Sequence, residues 1–441
     1  MIILALIILW VPFLRVWWWF LFPLMLSMQL KPLYLWWLDW DFAYVKTKWL
    51  MLEIIPPKEV LIPFKAMEDV FTTIWPIWDG AVWRERWCDG ELDNAPYWCS
   101  FEIVSIEGNI HFYLRIMAQH RLMVESTLYG HYPEIEIREV PDYAKNVSLT
   151  IPNEEWDVWG EDFILAENPA YPIKTYEKFF EPQGERISAE EKRMDPILSL
   201  LEAMSKLGPG EQYWVQFITM PVKEEDEPDF LKDAKNIINK LSKRPEKKEP
   251  GFFEELFHTF SELITGPQKT GTGDSASYEW VPLAKSETGE REMVITPGER
   301  EIITEIENKI KKPIFRVNMK GIYVAKRENW KSPHRVILRA YASHFASLNF
   351  NYLRFSGDTR PKVHYIMRKR RAFIRARRNI RNAVLRFPPH FPNRKKDCAI
   401  LNSEELATLF HFPMKISGLS APSVERVESK KAGPPPNLPM E

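Results

Sequence analysis

The sequence predicts an α+β protein: an N-terminal transmembrane helix, two βαβ-type units and a basic C-terminal helix. Three observations predict this. The first 30 residues, MIILALIILWVPFLRVWWWFLFPLMLSMQL, carry Arg15 as their single charge, and the run exceeds the ~20 residues a helix needs to cross a bilayer. Beyond residue 50, period-two stretches alternate with stretches of period 3.6, the pattern of interleaved strands and helices. Residues 360–396 carry fourteen basic side chains and no acid although the whole chain has a net charge of -1, so the positive field is concentrated in one stretch.

The anchor is read over residues 1–40. The run lacks the basic start and small-residue cleavage site of a signal peptide, and it continues into Trp17, Trp18 and Trp19, which argues against cleavage. Trp10, Phe20 and Phe22 add to its bulky apolar surface. An arginine at mid-bilayer costs roughly 2.5–3.5 kcal/mol. Either a tilted helix lets Arg15 snorkel, or the segment breaks near Pro12 and Val16 to Leu38 spans, with Lys31 near an interface. Trp36 and Trp37, with Trp40 and Trp49, resemble an interfacial aromatic belt, and Lys46 and Lys48 follow on the same side. That charge placement predicts a single pass with the bulk of the chain cytoplasmic and membrane lipid as a partner.

The first unit is read over 50–195. Leu50 to Ile55 reads as a strand, and Pro63 opens an amphipathic helix carrying Phe64, Met67, Val70, Phe71 and Ile74. FEIVSI (101–106) and IHFYLRI (110–116) flank Glu107-Gly108-Asn109, whose Gly and Asn tolerate positive φ, so a hairpin follows. A helix through Leu122, Ser126 and Tyr129 and a strand EIEIREV (134–140) complete the order β-α-β-β-α-β, which is ferredoxin-like. Residues 141–195 are rich in Pro, Trp and Tyr without sustained periodicity and read as wrapping loops.

The second unit is read over 196–358. EQYWVQFITMPV (211–222) is a strand and DFLKDAKNIINKL a helix, followed by an insertion over 245–296 that contains the amphipathic segment FFEELFHTFSELI and a Gly/Thr/Ser-rich linker. Thr296-Pro297-Gly298-Glu299 has capping-box spacing with proline at the first helical position and predicts a helix through Ile302, Ile306 and Ile310. Phe315 to Ala325 reads as strand, Ser332-Pro333 starts a helix, and NFNYLRF closes a second ferredoxin-like unit. The basic helix is placed within 359–396, and 397–441 is read as a C-terminal linker.

The composition excludes several classes. With 27% charged residues the chain is not a polytopic transporter, and Cys88, Cys99 and Cys398 form neither a CxxC pair nor an even framework, which fits a reducing compartment. GPQKTGTGDS (266–275) has Asp274 where a phosphate-binding loop needs lysine. No HExxH, GxSxG or GxGxxG occurs, and His120, His131, His334 and His344 have no recognised metal spacing. The sequence therefore assigns no catalytic, cofactor-binding or metal residue and predicts a non-catalytic chain without a cofactor.

The remaining signal is VHYIMRKRRAFIRARRNIRNAVLRFPPHFPNRKK. Arg368, Lys369, Arg370 and Arg371 open it, and Arg375, Arg377, Arg378, Arg381 and Arg386 continue it at helical density. Ile366, Phe373, Ile374, Ile380 and Val384 interleave near 3.6 spacing, so a basic amphipathic helix is expected. Such a helix serves DNA phosphates, anionic lipid heads, an acidic partner surface, or solvent alone, and composition does not rank these.

ILNSEELATLFHFP (400–413), followed by APSVERVESKKAGPPPNLP (421–439), resembles the segment that leads into the ATPase core of bacterial conjugative DNA-transfer or type IV secretion coupling proteins of the TraG and HerA/FtsK type. LEIIPPKEVLIPFKAMEDVF (52–71), the 101–116 hairpin, YPEIEIREVPDY (132–143), YPIKTYEKFF (171–180) and GEQYWVQF (210–217) resemble the domain of unknown function before that core. In the family a motor with Walker motifs follows PPPNLP, whereas here Glu441 is the last residue. The resemblance implies a membrane-anchored accessory domain in the bacterial inner membrane, a P-loop DNA-translocating ATPase in a separate chain as partner, and a homo-oligomeric ring. The alternative is a membrane-tethered DNA-binding module acting through residues 362–386.

Overall fold

The computed structural model describes residues 47–57, 60, 63–77, 98–179, 195–222, 227–242, 268–270, 277–279, 296–347, 350–391, 393 and 395–413, with scattered positions between 16 and 45. These residues divide into two compact units, one formed by Met1–Glu227 with Lys309–Glu441 and the other by Pro228–Asn308.

The larger unit is organised by one nine-stranded antiparallel sheet. Its strands are β1 (Trp49–Ile55), β2 (Cys99–Ile106), β3 (Asn109–Met117), β4 (Glu136–Val140), β5 (Trp156–Leu165) and β6 (Glu211–Val222), then β9 (Ile314–Lys326), β10 (Leu353–Phe355) and β11 (Ala399–Asn402), with β7 (Gln268–Thr270) and β8 (Ser277–Glu279) forming a separate pair. The order is β10-β5-β9-β6-β2-β3-β1-β4, with β11 paired to the free length of β9. Each half runs fourth, first, third, second strand by chain position, and β2 and β6 join the halves from Cys99↔Thr219 to Ile106↔Gln212. The hairpin between β2 and β3 turns through Glu107 (φ 54) and Gly108 (φ 89), where Gly carries the left-handed backbone without a Cβ clash.

The expected fold, a transmembrane helix followed by two ferredoxin-like units, is thereby corrected to one nine-stranded antiparallel sheet shared by both halves. The difference begins at β5, which falls where wrapping loops were expected and is a full strand of the sheet, second from the edge between β9 and the short β10. Its sequence WDVWGEDFIL hides the strand because Glu161 and Asp162 are both buried. Each is neutralised from a neighbouring element: Arg339 donates to Glu161 at 2.5 and 2.8 Å, and Lys320 lies 2.9 Å from Asp162. A buried charge with a partner breaks the period-two pattern without breaking the strand.

The membrane reading is also corrected. Trp17, Trp18, Trp19, Phe20, Phe22 and Trp37 are helical and exposed, but among the described residues no helix is long and apolar enough to cross a membrane. A single-pass inner-membrane location is not supported, because an apolar run spans only as one continuous helix of sufficient length. Trp10, Arg15 and Trp36 lie outside the described residues, as do the amphipathic segment 252–264 and residues 414–441.

One sheet face is covered by five helices: α1 (Pro63–Ile74), α2 (Arg121–His131), α3 (Ile197–Ser205), α6 (Ile337–Ser343) and α8 (Ser403–Leu409). The smaller unit contributes α4 (Pro228–Leu241) and most of α5 (Pro297–Lys311), whose start is capped as the sequence predicts, with Thr296 Oγ1 accepting from Glu299 N at 3.3 Å and Glu299 Oε2 accepting from Thr296 N at 2.8 Å. Residues 399–412, where the sequence predicted a linker, are core: Leu406, Leu409, Phe410 and Phe412 are fully buried, and Phe410 packs tilted against Phe101 and edge-on to Phe217. The capping box of Asn402 and Glu405 starts α8.

The opposite sheet face carries a second core, in which Val104, Val158, Trp214, Ile322 and Val324 meet Ala376, Ile380 and Ala383 of the basic helix α7 (Arg368–Leu385). Small residues let α7 lie close. Asn379 Nδ2 donates to the carbonyl of Gly160 at 2.7 Å, and a Cβ on Gly160 would stand 2.8 Å from Asn379 Cβ and 2.6 Å from Ile322 Cδ1. Gly160→Ala is therefore expected to push helix and sheet apart and to cost about 1–3 kcal/mol. A urea midpoint equal to that of the parent protein would refute this packing account.

Candidate functional site

The basic helix is where the sequence signal and the structure meet. Its buried stripe is Ala376, Asn379, Ile380, Asn382 and Ala383, spaced three and four apart as a sheet-facing stripe requires. Arg368, Lys369, Arg370 and Arg371 are exposed at its N-terminal end, and Arg377, Arg378 and Arg381 are exposed on its outer face. Arg375 is half-buried, with Nη1 donating to the carbonyls of Gly357 and Arg360 at 2.8 and 3.1 Å. The other recorded partners are likewise neutral. Arg371 stacks over Tyr365 at 4.8 Å, and Arg377 lies over Phe373 at 4.7 Å while donating to the Thr150 carbonyl at 3.2 Å. Carbonyls and rings leave the guanidinium charge uncompensated, so this face keeps a strong positive potential.

Two expectations for this stretch are corrected. Ile366, Phe373 and Ile374 do not join the buried stripe but are exposed beside the arginines. Arg386 does not join the exposed array. It is fully buried just past the helix, in a left-handed conformation (φ 53), with Nε and Nη2 on Glu102 at 2.9 and 3.2 Å and Nη1 and Nη2 on Asp142 at 2.7 and 2.8 Å. Tyr143 donates to Glu102 at 2.5 Å and Gln216 donates to Tyr143 at 3.0 Å, which extends the network beneath α7. Burial opposes the charge of Arg386, but Glu102, Tyr143 and Asp142 hold its pKa well above the ordinary arginine value.

A cleft of about 300 Å³ opens on one flank of α7. Arg371, Arg375 and Arg378, at helical spacings of four and three, line it together with Tyr365 and Ile374, and Asp358 and His390 form its far wall. His390 and Asp358 come from loops that α7 itself clamps, since Asn382 Nδ2 donates to the Pro389 carbonyl at 3.1 Å and Arg375 binds the turn around Gly357. His390 Nε2 lies 3.1 Å from Asp397 Oδ2, and Ser356 Oγ donates to the same oxygen at 2.5 Å. Sequence reasoning missed this grouping because its members are separated in the chain and match no ligand spacing; the only local signal was the acid-free run ending at Asp397.

The histidines singled out in the sequence stay apart. His334 Nδ1 is 3.1 Å from Glu211, His344 Nε2 is 3.3 Å from Ser199 Oγ, and His120 Nε2 is 2.9 Å from Gln119. Glu211 also accepts from Tyr323, Lys331 and the Gly208 N–H, so every lone pair is engaged and the carboxylate ties β6 to β9 rather than offering itself to a substrate. Burial acts against its charge, but these donors hold Glu211 below the ordinary carboxylate value.

The fold and site define an α+β protein with a cationic helix laid across one face of a broad antiparallel sheet. No family model matches the chain and no curated protein matches it. Nothing found supports a role in conjugation or type IV secretion, and that expectation is not carried forward.

Proposed function

We propose that the chain is a non-catalytic binding module that holds the phosphate backbone of DNA against α7. The observation that carries the reading is the exposed array of Arg370, Arg371, Arg378 and Arg381 on a helix whose opposite side is locked onto the sheet. The fixed helix backbone sets the spacing of the guanidinium groups along a row of phosphates, so binding orders the side chains but not the scaffold that carries them. Contacts to phosphate position without specifying sequence, so little base preference is expected.

The test is the salt dependence of binding to a short DNA duplex by fluorescence anisotropy. With about four phosphate contacts the slope of log K against log salt is about -3.6, a loss of roughly a hundredfold between about 50 and 200 mM salt. Replacing Arg370, Arg371, Arg378 and Arg381 together by Gln is expected to flatten that slope to near zero with the urea midpoint retained, because all four side chains are exposed. A variant that keeps the parent slope defeats the proposal.

A second reading, docking onto a partner protein through an apolar patch, is favoured by one observation: Ile366, Met367, Phe373 and Ile374 are 43–80% exposed on and beside the same helix. It predicts that Phe373→Ser with Ile374→Ser abolishes co-purification of the protein partner recovered with the parent chain while leaving the DNA salt slope intact.

A further inference from the structure

We infer that Asp358, His390 and Asp397 form a divalent-cation site at the wall of the arginine cleft, and that the ion completes its coordination with a phosphate oxygen held by Arg371 and Arg378. The inference deepens the phosphate-binding reading and rests on it for the second ligand only. One donor atom from each of the three residues lies within 4.8 Å of the other two. The separation of 3.1 Å between His390 Nε2 and Asp397 Oδ2 matches the edge between adjacent ligands around an ion with bonds of about 2.0–2.2 Å.

The site is built rather than accidental. Asp397 sits at φ 57, a left-handed position that Asp tolerates, and Ser356 donates to its carboxylate at 2.5 Å and orients it as an outer hydrogen-bond partner orients a metal ligand. His390 sits in a turn closed by the Asn393 N–H donating to the His390 carbonyl at 2.9 Å and steadied by Phe387 stacked on Phe391 at 4.0 Å. Asp358 is the third donor. It is exposed, and its Oδ2 lies 3.3 Å from Lys396 Nζ, so a cation would displace an exposed ion pair worth little.

The second ligand follows from charge. Two carboxylates neutralise a divalent ion and hold it, but Arg371, Arg375 and Arg378 line the same cleft as Asp358 and His390, and their field weakens the binding of the cation by itself. A phosphate between the ion and the arginines reverses that sign, so cation and phosphate each strengthen the other's binding, as linkage requires. One imidazole nitrogen with two carboxylate oxygens suits Mn²⁺ or Zn²⁺ better than all-oxygen or thiolate metals.

The test is titration of the full chain with Mn²⁺, with free ion followed by its electron paramagnetic resonance signal, first without nucleic acid. One saturable site is expected, weakened at least about tenfold by Asp397→Asn or His390→Gln. Lys396→Met, an exposed change that leaves folding intact, is expected to tighten Mn²⁺ because Asp358 is released. No saturable binding, unchanged affinity in Asp397→Asn, or no tightening in Lys396→Met each overturns the assignment. Mn²⁺ should then tighten DNA binding in the parent and not in Asp397→Asn. If salt-dependent DNA binding survives while Mn²⁺ fails to bind, the cation site falls and the phosphate reading stands; if Mn²⁺ binds and DNA does not, the reverse holds.

Discussion

Arg386→Met is expected to lower the free energy of unfolding by about 3–5 kcal/mol, the range for removing one partner from a buried ion pair. The loss does not come from the arginine's own attraction alone. Glu102 is fully buried and Asp142 nearly so at its side chain, and without the guanidinium two carboxylates face each other in a region from which water is excluded. The substitution also removes the bond from Nη1 to the Val384 carbonyl at 2.7 Å, leaving the backbone bond from N–H to the Ala383 carbonyl at 3.3 Å to finish α7 alone with the left-handed φ. Adding Glu102→Gln and Asp142→Asn to the Met variant should recover a large part of the loss, since neutral groups cost far less to bury. Guanidinium chloride unfolding of the single and triple variants measures both. A single variant within about 1 kcal/mol of the parent would mean that the network contributes nothing net.

Lys309→Met is expected to have an effect of the same size, about 3–5 kcal/mol at neutral pH, and to carry a pH signature. Lys309 and Glu405 are both fully buried, 3.0 Å apart, at the junction of α5 with α8. Burial pushes the Lys309 ammonium below its ordinary pKa and the Glu405 carboxyl above its own, while each partner's charge pulls the other back toward its charged form. Glu405 further accepts from the N–H groups of Ile173 and Asn402 at 2.8 and 2.9 Å. With the lysine gone the carboxyl pKa rises further. A carboxyl whose folded pKa lies above its unfolded value favours the folded state at low pH and loses that contribution as pH rises through the folded pKa. The deficit of Lys309→Met relative to the parent should therefore shrink as pH falls from about 7 to about 5. A deficit that is constant or grows over that interval contradicts a buried, orphaned Glu405.

The two networks bear on function through position. Arg386 fixes the last turn of α7 and Glu102 sits in β2, the strand that joins the two halves of the sheet. The outer arginines are thus carried on a helix pinned at its end and along its inner stripe, which keeps their spacing fixed when a polyanion binds. Stability variants at Arg386 should consequently weaken phosphate binding indirectly, whereas the outer-face Gln variants weaken it at constant stability.

The sequence by itself determined the local elements with strong periodicity or end signals. Pro63 with its apolar stripe, the Glu107-Gly108 turn, the Thr296-Pro297 start and the arginine-rich helix are each decided by neighbours a few residues apart, and the folded chain places them within a few residues of expectation. Tertiary structure alone decided the rest. β5 is a strand with two buried acids because Arg339 and Lys320, far away in sequence, neutralise Glu161 and Asp162, and no local pattern reports such pairing. Residues 399–412 are core because β11 completes β9 and the small residues of α8 meet α1, although the same letters read as a polar connection. The starkest case is the basic stretch. Arg381 and Arg386 are equal in charge and five residues apart, yet one is exposed and the other is fully buried, because only the second finds Glu102 and Asp142 beneath it. Local sequence sets the charge a residue carries, while the side chains brought opposite it in the fold decide whether that charge faces solvent and a ligand or the protein interior.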